Sequence, residues 1–242
     1  MHEFDRRFWR THLLWPLLAF VAVATPFEFT DLDLLLTDPF YDKAAQRWTY
    51  QRSFWTVEVL HRWGKHAVFA LGAVPLLMLL ASRWRRPLVP YRQICLYLLA
   101  GIAGSPGLVA LLKVLTARHC PWGIDRYGGK VPWTRLFEAV PVVPGVSPGL
   151  CFPAAHAATG FGLVCLYFAA RALPNARPRR WLWFGLVTGT VFGIGQHVRG
   201  AHFASHTVWS CAVAWFFTLG AYRAFGGRAR LAPDLNAAGT AR

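Results

Sequence analysis

Six long apolar blocks, separated by short polar segments, are the feature that most constrains the fold of this 242-residue chain. The blocks cover approximately Leu13–Phe29, His66–Ser82, Ile94–Leu115, Pro153–Leu173, Trp181–Val198 and Ser205–Phe225. A helix needs roughly 20 mostly apolar residues to cross a bilayer. With 55% hydrophobic and 15% charged residues, the chain is too apolar for an ordinary soluble domain. We therefore predict an all-α polytopic membrane helix bundle of about six transmembrane helices. It forms one domain over residues 1–230, followed by a disordered cytoplasmic tail over residues 231–242.

The arginines between the blocks predict the orientation of this bundle. They cluster at the N-terminus, between blocks two and three, between blocks four and five, and in the C-terminal tail. Short loops rich in Lys and Arg face the cytoplasm, so both termini are predicted to be cytoplasmic. The same loops account for the net charge of +15 without a nucleic-acid partner. No good cleavage site follows block one, so this block is predicted to remain as a helix and not to leave as a signal peptide.

The opposite side of the predicted membrane carries three segments, at about Phe29–Lys65, Thr116–Phe152 and Arg199–Ala204. In the first, Asp31 and Asp33 are predicted to cap or orient the loop and not to bind a metal. Six histidines lie in or beside these segments, namely His61, His119, His156, His197, His202 and His206. Cys120 and Cys151 share this side, and a disulfide between them is one alternative if the compartment is oxidising.

Three motifs on this side contain the residue types that phosphate chemistry needs. They run from Lys113 to Trp122, from Cys151 to His156, and from Gln196 to His206. Lys113, Arg118 and Arg199 supply cationic donors for a phosphate. The candidate site therefore lies in two stretches of the chain, residues 113–156 and residues 196–206.

Histidines accompany these cations in two of the motifs. Pro153 to His156 has the pattern of a first helical turn, where free backbone N–H groups and the helix dipole favour an anion. Arg199 and His202 are three residues apart and share a face if the helical turn continues. Two histidines beside a phosphate can divide the work, because one attacks phosphorus and the other protonates the leaving oxygen.

The order and spacing of these motifs resemble the type-2 phosphatidate phosphatase superfamily, whose membrane members have six helices. That family shows K-x6-R-P, then P-S-G-H, then S-R-x5-H-x3-D, and the resemblance covers about Lys113–His206. The details look most similar to bacterial inner-membrane branches that act on lipid A phosphates or polyprenyl diphosphates. The resemblance implies a metal-independent phosphoric ester hydrolase with no cofactor. It further implies a lipid phosphate or diphosphate substrate and an active site that faces the periplasm from the bacterial inner membrane.

The resemblance also implies roles for individual residues. His202 would be the nucleophile that forms a phosphohistidine, and His156 would be the acid that protonates the leaving group. Lys113 and the backbone at Ala154 and Ala155 would hold the phosphate. In the second motif the serine and glycine of the family are these two alanines, so the backbone donors remain while the serine hydroxyl is lost.

Both family arginines are replaced in this sequence. The arginine of the first motif falls on Cys120, and Arg118 is the expected substitute. The arginine of the third motif falls on Gln196, and Arg199 is the expected substitute.

The family aspartate that orients the nucleophile is also replaced. It falls on His206, which can accept a hydrogen bond from His202 but is a weaker partner for an imidazolium than a carboxylate. Glu58, Asp125 and Glu138 are three alternatives for a carboxylate that reaches His202 through space.

Other functions compete with hydrolysis. A lipid-to-lipid phosphotransferase would differ only in the group that accepts the phosphoryl from the histidine. A non-catalytic family member that binds lipid headgroups is favoured by the missing aspartate. A haem-carrying cytochrome is disfavoured because these histidines lie at helix ends. The histidines outside the motif roles are predicted to be packed or solvated, namely His61, His66, His119 and His197.

Overall fold

The computed structural model describes residues 3–233, and these residues are mostly helical, as predicted. The α-helices are α1 (Arg6–Trp9), α2 (Trp15–Phe29), α3 (Leu32–Thr37), α4 (Gly64–Ala81), α5 (Arg92–Thr116), α6 (Ala155–Phe161), α7 (Cys165–Ala172), α8 (Pro178–His197), α9 (Ala204–Ala224) and α10 (Gly227–Leu231). π-Helical turns at Arg10–Leu14 and Trp55–Trp63 continue directly into α2 and α4. The strands β1 (Tyr41–Asp42) and β2 (Arg47–Trp48) form one short antiparallel pair.

Within the described residues, three helical segments are long and apolar enough to cross a membrane: Arg6–Phe29, Trp55–Ala81 and Arg86–Gly123. In the first two, only 6% and 11% of the most apolar window is buried inside the protein. The exposure of so much apolar surface is unfavourable in water and favourable in lipid. The chain is therefore a membrane protein. The count of six spans and the cytoplasmic position of both termini remain predictions.

The second of these segments begins earlier than the sequence pattern indicates. The predicted loop extends to Lys65, whereas the helix already begins at Trp55. The difference arises because Glu58, His61 and Arg62 make the first turns polar, and an apolar block cannot reveal a polar helical turn. Glu58 and Arg62 are four residues apart on this helix and form an ion pair of 2.7 Å.

The helices α6 to α9 have more buried residues than the first two of these segments. Five of the seven residues of α6 are buried, because α6 and α8 approach each other through glycines. A Cβ on Gly160 would lie 2.7 Å from the Gly189 backbone, so no larger residue fits there. Small residues at such crossings allow close helix packing in membranes.

The largest apolar core joins α1, α5, α7, α9 and α10. Phe8, Tyr97, Phe168 and Tyr222 pack there, and Leu231 is fully buried in the same cluster. Residue 231 therefore belongs to the packed part of the chain, although the predicted tail began there. The rest of the predicted tail, residues 234–242, lies outside the described residues.

Two loops, residues 30–53 and 117–152, fold together at the other end of the bundle, and we call them the outer cap. Their shared core consists of Leu34, Tyr41, Trp48, Ile124 and Tyr127, with Phe203 from the bundle. Asp38 joins the two loops, because its carboxylate accepts hydrogen bonds from Arg126 (2.6 Å) and the Tyr127 hydroxyl (2.9 Å). The Arg126 hydrogen bond lowers the pKa of Asp38.

A disulfide also closes the outer cap. The structure has a bond between Cys120 and Cys151, whose Cα atoms are 5.2 Å apart. The disulfide that the sequence analysis gave as one alternative is therefore present in the structure. Beside this bond, the Cys151 N–H donates to the Arg118 carbonyl (2.9 Å), and the two chain segments run next to each other.

Candidate active site

The three predicted motifs meet beneath the outer cap, at what we call the histidine end of the bundle. The end of α5 contacts the segment before α6, where the Gly149 N–H donates to the Ala117 carbonyl (3.1 Å). That segment in turn contacts α9, where the Ala154 N–H donates to the His206 carbonyl (3.4 Å). Residues distant in the sequence are thus brought together at one end.

A tight turn between α8 and α9 positions His202. Gly200 has a φ of +76°, which favours glycine, and a Cβ there would lie 2.3 Å from the Trp48 ring. The His197 ring lies between the carbonyls of Leu36 and His202, at 3.1 Å from each. Because the outer cap contacts both sides of the turn, it fixes the backbone that carries His202.

His202 and His206 form a direct pair. Their Nδ1 atoms are 3.3 Å apart, and both side chains are buried. Burial, followed by the neighbouring His206 and the charge of Lys113, lowers the pKa of His202 well below its ordinary value. His202 is therefore neutral at neutral pH. If its Nδ1–H donates to His206, its Nε2 keeps a free lone pair, as a nucleophile requires.

His156 faces the same region from the start of the α6 helix. Its Nε2 is 3.0 Å from the Leu60 carbonyl, and its ring stacks on Phe192 with the centroids 4.3 Å apart. Because a carbonyl only accepts, Nε2 carries a proton and Nδ1 is the nitrogen left for a ligand. The α6 helix begins at Ala155, so Pro153 lies two residues before the first helical position and not in it.

Two half-buried cations, Lys113 and Arg199, flank these histidines. Lys113 interacts electrostatically with both His202 and His206, and Arg199 with His156. Neither cation has a carboxylate partner among residues 3–233. The Nε of Arg199 is buried with no hydrogen-bond acceptor. Cations in this state leave donors available for an anion.

Arg118 and Ala154 are placed differently from these two cations. The Arg118 guanidinium donates to the Thr134 hydroxyl (2.8 Å) and to the carbonyls of Leu136 and Glu138. It therefore holds the outer cap with three of its five N–H groups, and a role in phosphate binding stays a prediction. The Ala154 N–H is engaged by the His206 carbonyl, so of the two predicted backbone donors Ala155 is the less committed.

The three carboxylates predicted as alternatives are bonded elsewhere. Glu58 pairs with Arg62, Asp125 accepts from the Arg126 N–H (2.7 Å), and Glu138 pairs with Arg135. The carboxylate that reaches this region is Asp33, which accepts from the backbone N–H (3.0 Å) and the hydroxyl of Ser205. Asp33 thus holds the start of α9, a contact that the sequence analysis did not predict. Burial raises its pKa to about 6.

His61 is a neighbour of the site that the sequence analysis did not predict. Its ring meets the His156 ring edge-on, with the centroids 4.6 Å apart, and its Nδ1 is 3.1 Å from the Gln196 amide nitrogen. The sequence offers no local signal for this contact, because His61 lies far earlier in the chain and outside the three motifs.

An apolar cavity of about 290 Å³ adjoins His206. Phe20 of α2, Trp209 of α9 and Phe137 of the outer cap line its apolar walls. Arg118, Asp33 and His206 are among the polar residues that line it. The cavity therefore combines an apolar volume with a polar boundary that leads towards the histidine pair.

Comparison with protein-family models identifies the class of protein. The model of the PAP2 superfamily matches residues 94–230, which include all three motifs. The chain belongs to this superfamily, whose members are phosphoesterases. No curated protein and no solved structure is detectably similar to the chain. Membership indicates phosphatase activity on phosphate esters, and it leaves the branch of the superfamily open.

Proposed function

We propose that this protein is a membrane lipid phosphatase that acts through a phosphohistidine on His202. Its substrate is a phosphate monoester or diphosphate on a lipid of the lipid A or polyprenyl diphosphate type. The site faces the periplasm from the bacterial inner membrane. The observation that carries the proposal is the buried His202–His206 pair beside two cations, Lys113 and Arg199, that lack carboxylate partners among the described residues.

In the first step, the Nε2 of His202 attacks the phosphorus atom. A P–N bond forms while the bond from phosphorus to the ester oxygen breaks. His156 enters this step protonated on both ring nitrogens: its Nε2–H stays bonded to the Leu60 carbonyl, and its Nδ1 gives a proton to the departing oxygen. The His206 Nδ1 accepts the hydrogen bond from His202 and disperses the positive charge that develops on the ring. Lys113 and Arg199 neutralise the negative charge on the phosphoryl oxygens, as phosphoryl transfer requires.

In the second step, water replaces the lipid. His156, now deprotonated, takes a proton from the water, whose oxygen attacks phosphorus. The P–N bond breaks, inorganic phosphate leaves, and His202 is restored. The two steps use the same histidine first as acid and then as base.

The apolar cavity supports a lipid as the substrate. It adjoins His206 and is walled by apolar side chains from two helices and the outer cap. Burying an acyl or prenyl chain there is favourable by about 0.8 kcal/mol per CH₂ group. A soluble sugar phosphate would gain nothing from this volume.

A second candidate function is a protein that binds a lipid headgroup without catalysis. His206 in place of the family aspartate favours it, because a neutral imidazole stabilises a developing imidazolium less than a carboxylate does. Transfer of the phosphoryl group to another lipid is a variant of the leading proposal, with a lipid hydroxyl in the place of water.

Phosphate release by the purified protein in detergent distinguishes these functions. Lipid A, undecaprenyl diphosphate and phosphatidate are supplied separately, with EDTA present. The wild type is expected to release phosphate from at least one of them. His202→Ala is expected to lower the rate on the order of 10³-fold or more, as the loss of a nucleophile does. His66→Ala, at a helical position outside the site, is the matched control and keeps the wild-type rate.

Equal rates for wild type and His202→Ala would contradict the proposed nucleophile. If no lipid yields phosphate, paired donor and acceptor lipids are supplied next. Transfer that depends on His202 identifies the phosphotransferase, whereas lipid binding without any transfer identifies the non-catalytic protein.

A further inference from the structure

A second cavity, of about 950 Å³, lies at the opposite end of the bundle from the candidate active site. Five arginines line it, and we call it the arginine cleft: Arg7, Arg171, Arg177, Arg179 and Arg228. They come from the first helical turn, the end of α7, the start of α8 and α10. α8 has 20 residues, so at 1.5 Å per residue its two ends are about 30 Å apart. The arginine cleft is therefore remote from the candidate active site.

The acidic residues at the arginine cleft are already engaged. The Glu3 carboxylate accepts from the Tyr222 hydroxyl (2.6 Å) and the Arg228 N–H (2.6 Å), and it is 3.5 Å from Arg171. Asp5 accepts from the Phe8 N–H (2.8 Å) and caps α1. Each of the two has a structural role that leaves little capacity to neutralise the other arginines.

Four guanidinium groups consequently have no carboxylate partner among residues 3–233, namely those of Arg7, Arg177, Arg179 and Arg228. In addition, the buried Nε of Arg171 has no acceptor. Positive charges that face one cavity repel each other, and a bound anion relieves this repulsion. The planar guanidinium donates two parallel hydrogen bonds to phosphate oxygens, which makes phosphate the best match among common anions.

The position of the arginine cleft indicates how the phosphate is presented. Arg7 lies at the beginning of the apolar segment Arg6–Phe29, and Arg179 lies in the first turn of α8, where the chain re-enters the bundle. The aromatic rings of Phe8 and Tyr167 form part of the cavity wall. Polar donors above an apolar wall suit a group that carries both a phosphate and a hydrocarbon chain.

We propose that the arginine cleft binds a phosphate group presented by the head group of an anionic phospholipid. Basic pockets between transmembrane helices bind anionic lipid head groups in this way. The bound lipid bridges the four helices whose arginines line the arginine cleft, so it stabilises this end of the bundle. It is distinct from the substrate, because it lies at the other end of α8.

The test measures the thermal unfolding midpoint of the full chain in mixed micelles. Phosphatidylglycerol is added to one sample, phosphatidylcholine at equal fraction to the second, and sodium phosphate to the third. The variants are Arg177→Gln with Arg179→Gln, and as the matched control Arg83→Gln with Arg85→Gln. The control removes two exposed arginines from another loop and leaves the arginine cleft intact.

Phosphatidylglycerol is expected to raise the midpoint of the wild type and of the control by the same amount. The cleft variant is expected to lose at least about half of this shift, because binding to the folded state is weakened. Phosphatidylcholine and free phosphate are expected to give little shift. An equal response of both variants would overturn the proposal, because any surface charge would then suffice. An equal effect of sodium phosphate would assign the site to a soluble phosphate and overturn the lipid as its source.

Discussion

The two ends of the helix bundle both collect positive charge, and they use it differently. At the histidine end, Lys113 and Arg199 are half-buried beside two buried histidines and under the outer cap. At the other end, four of the arginines of the arginine cleft are exposed on an open surface. Desolvation makes a charge act strongly on a neighbouring group, whereas an exposed charge is screened. This difference is why we propose catalysis at one end and head-group binding at the other.

The largest effect is expected from His206, the partner of the proposed nucleophile His202 at the histidine end. His206→Ala removes the acceptor of the His202 Nδ1–H, and we expect the rate to fall about 10³- to 10⁴-fold, as when the orienting group of a catalytic histidine is lost. His206→Asp restores the carboxylate of the family motif and should keep or exceed the wild-type rate. It should also raise the pKa of His202, because a negative charge favours the imidazolium.

Steady-state rates of both variants over the pH range check this prediction. In His206→Asp, the acid limb of the pH profile should move to higher pH. If His206→Ala retains the wild-type rate, the histidine pair has no part in the reaction and the pairing is structural only.

The disulfide provides the next comparison, because it stabilises only the histidine end. Cys120 and Cys151 are separated by 31 positions, and closing a loop of this size stabilises by about 3 to 4 kcal/mol in the chain-entropy model. Replacing both by Ser should therefore lower the unfolding midpoint and expose the outer cap to protease first. Cys211→Ser is the control for the loss of a free thiol.

Limited proteolysis locates the effect. Early cleavage within residues 117–152 of the double serine variant, with α7 to α10 still intact, is the expected pattern. Cleavage that begins equally at both ends would show that the disulfide stabilises the bundle as a whole.

The loss of arginines at the two ends should affect kcat/KM differently. Arg199→Gln removes a donor with a buried Nε that lacks an acceptor. A hydrogen bond to a charged group contributes about 1.5 to 3 kcal/mol, so kcat/KM should fall about 10- to 100-fold. Removing two arginines of the arginine cleft, Arg177 and Arg179, should leave kcat/KM within about twofold, because both lie far from the candidate active site.

Measuring kcat and KM for both variants, with a lipid from which the wild type releases phosphate, tests this contrast. A larger loss from the cleft variant than from Arg199→Gln would mean that the two ends are coupled, or that the site has been placed at the wrong end.

The sequence predicted those parts of the molecule whose signals are local. The apolar block Ile94–Leu115, for example, falls within α5. The helical turn considered for Arg199 and His202 is not formed, because α8 ends at His197 and α9 begins at Ala204. Contacts that join distant segments were missed. Asp33 reaches Ser205 only because the outer cap folds back on α9, and His61 meets His156 because a polar helical turn precedes α4. Nothing in a linear pattern encodes such pairings, since each depends on how two loops pack.

Arg118 shows that the direction of a side chain could not be predicted from the sequence either. Its position two residues before the family arginine made it the natural substitute, yet its guanidinium is turned towards residues 134–138. The spacing in a sequence shows which residue could replace the family arginine. It does not show where a long side chain points, because that depends on the nearest hydrogen-bond acceptors in the fold.

The smallest expected effect concerns Asp33, which acts on the histidine pair through the start of α9. Burial raises its pKa to about 6, with Glu28 contributing in the same direction and the Ser205 hydrogen bonds opposing it. As the pH falls through about 6, the carboxylate becomes protonated and its interaction with the positive end of the helix is lost. Activity should therefore decline severalfold below pH 6. The Asp33→Asn variant should lack this part of the decline.

Stability should change in the opposite direction over the same pH range. The pKa of Asp33 is higher in the folded state than in the unfolded chain, so between about pH 6 and 4 the folded state binds more protons. This group alone then makes the fold more stable as the pH falls, so protonation of Asp33 does not lower activity by unfolding the protein. Rates and unfolding midpoints between pH 5 and 8 for wild type, Asp33→Asn and the exposed control Asp31→Asn separate the two. A decline that persists unchanged in Asp33→Asn would assign it to another group at the histidine end.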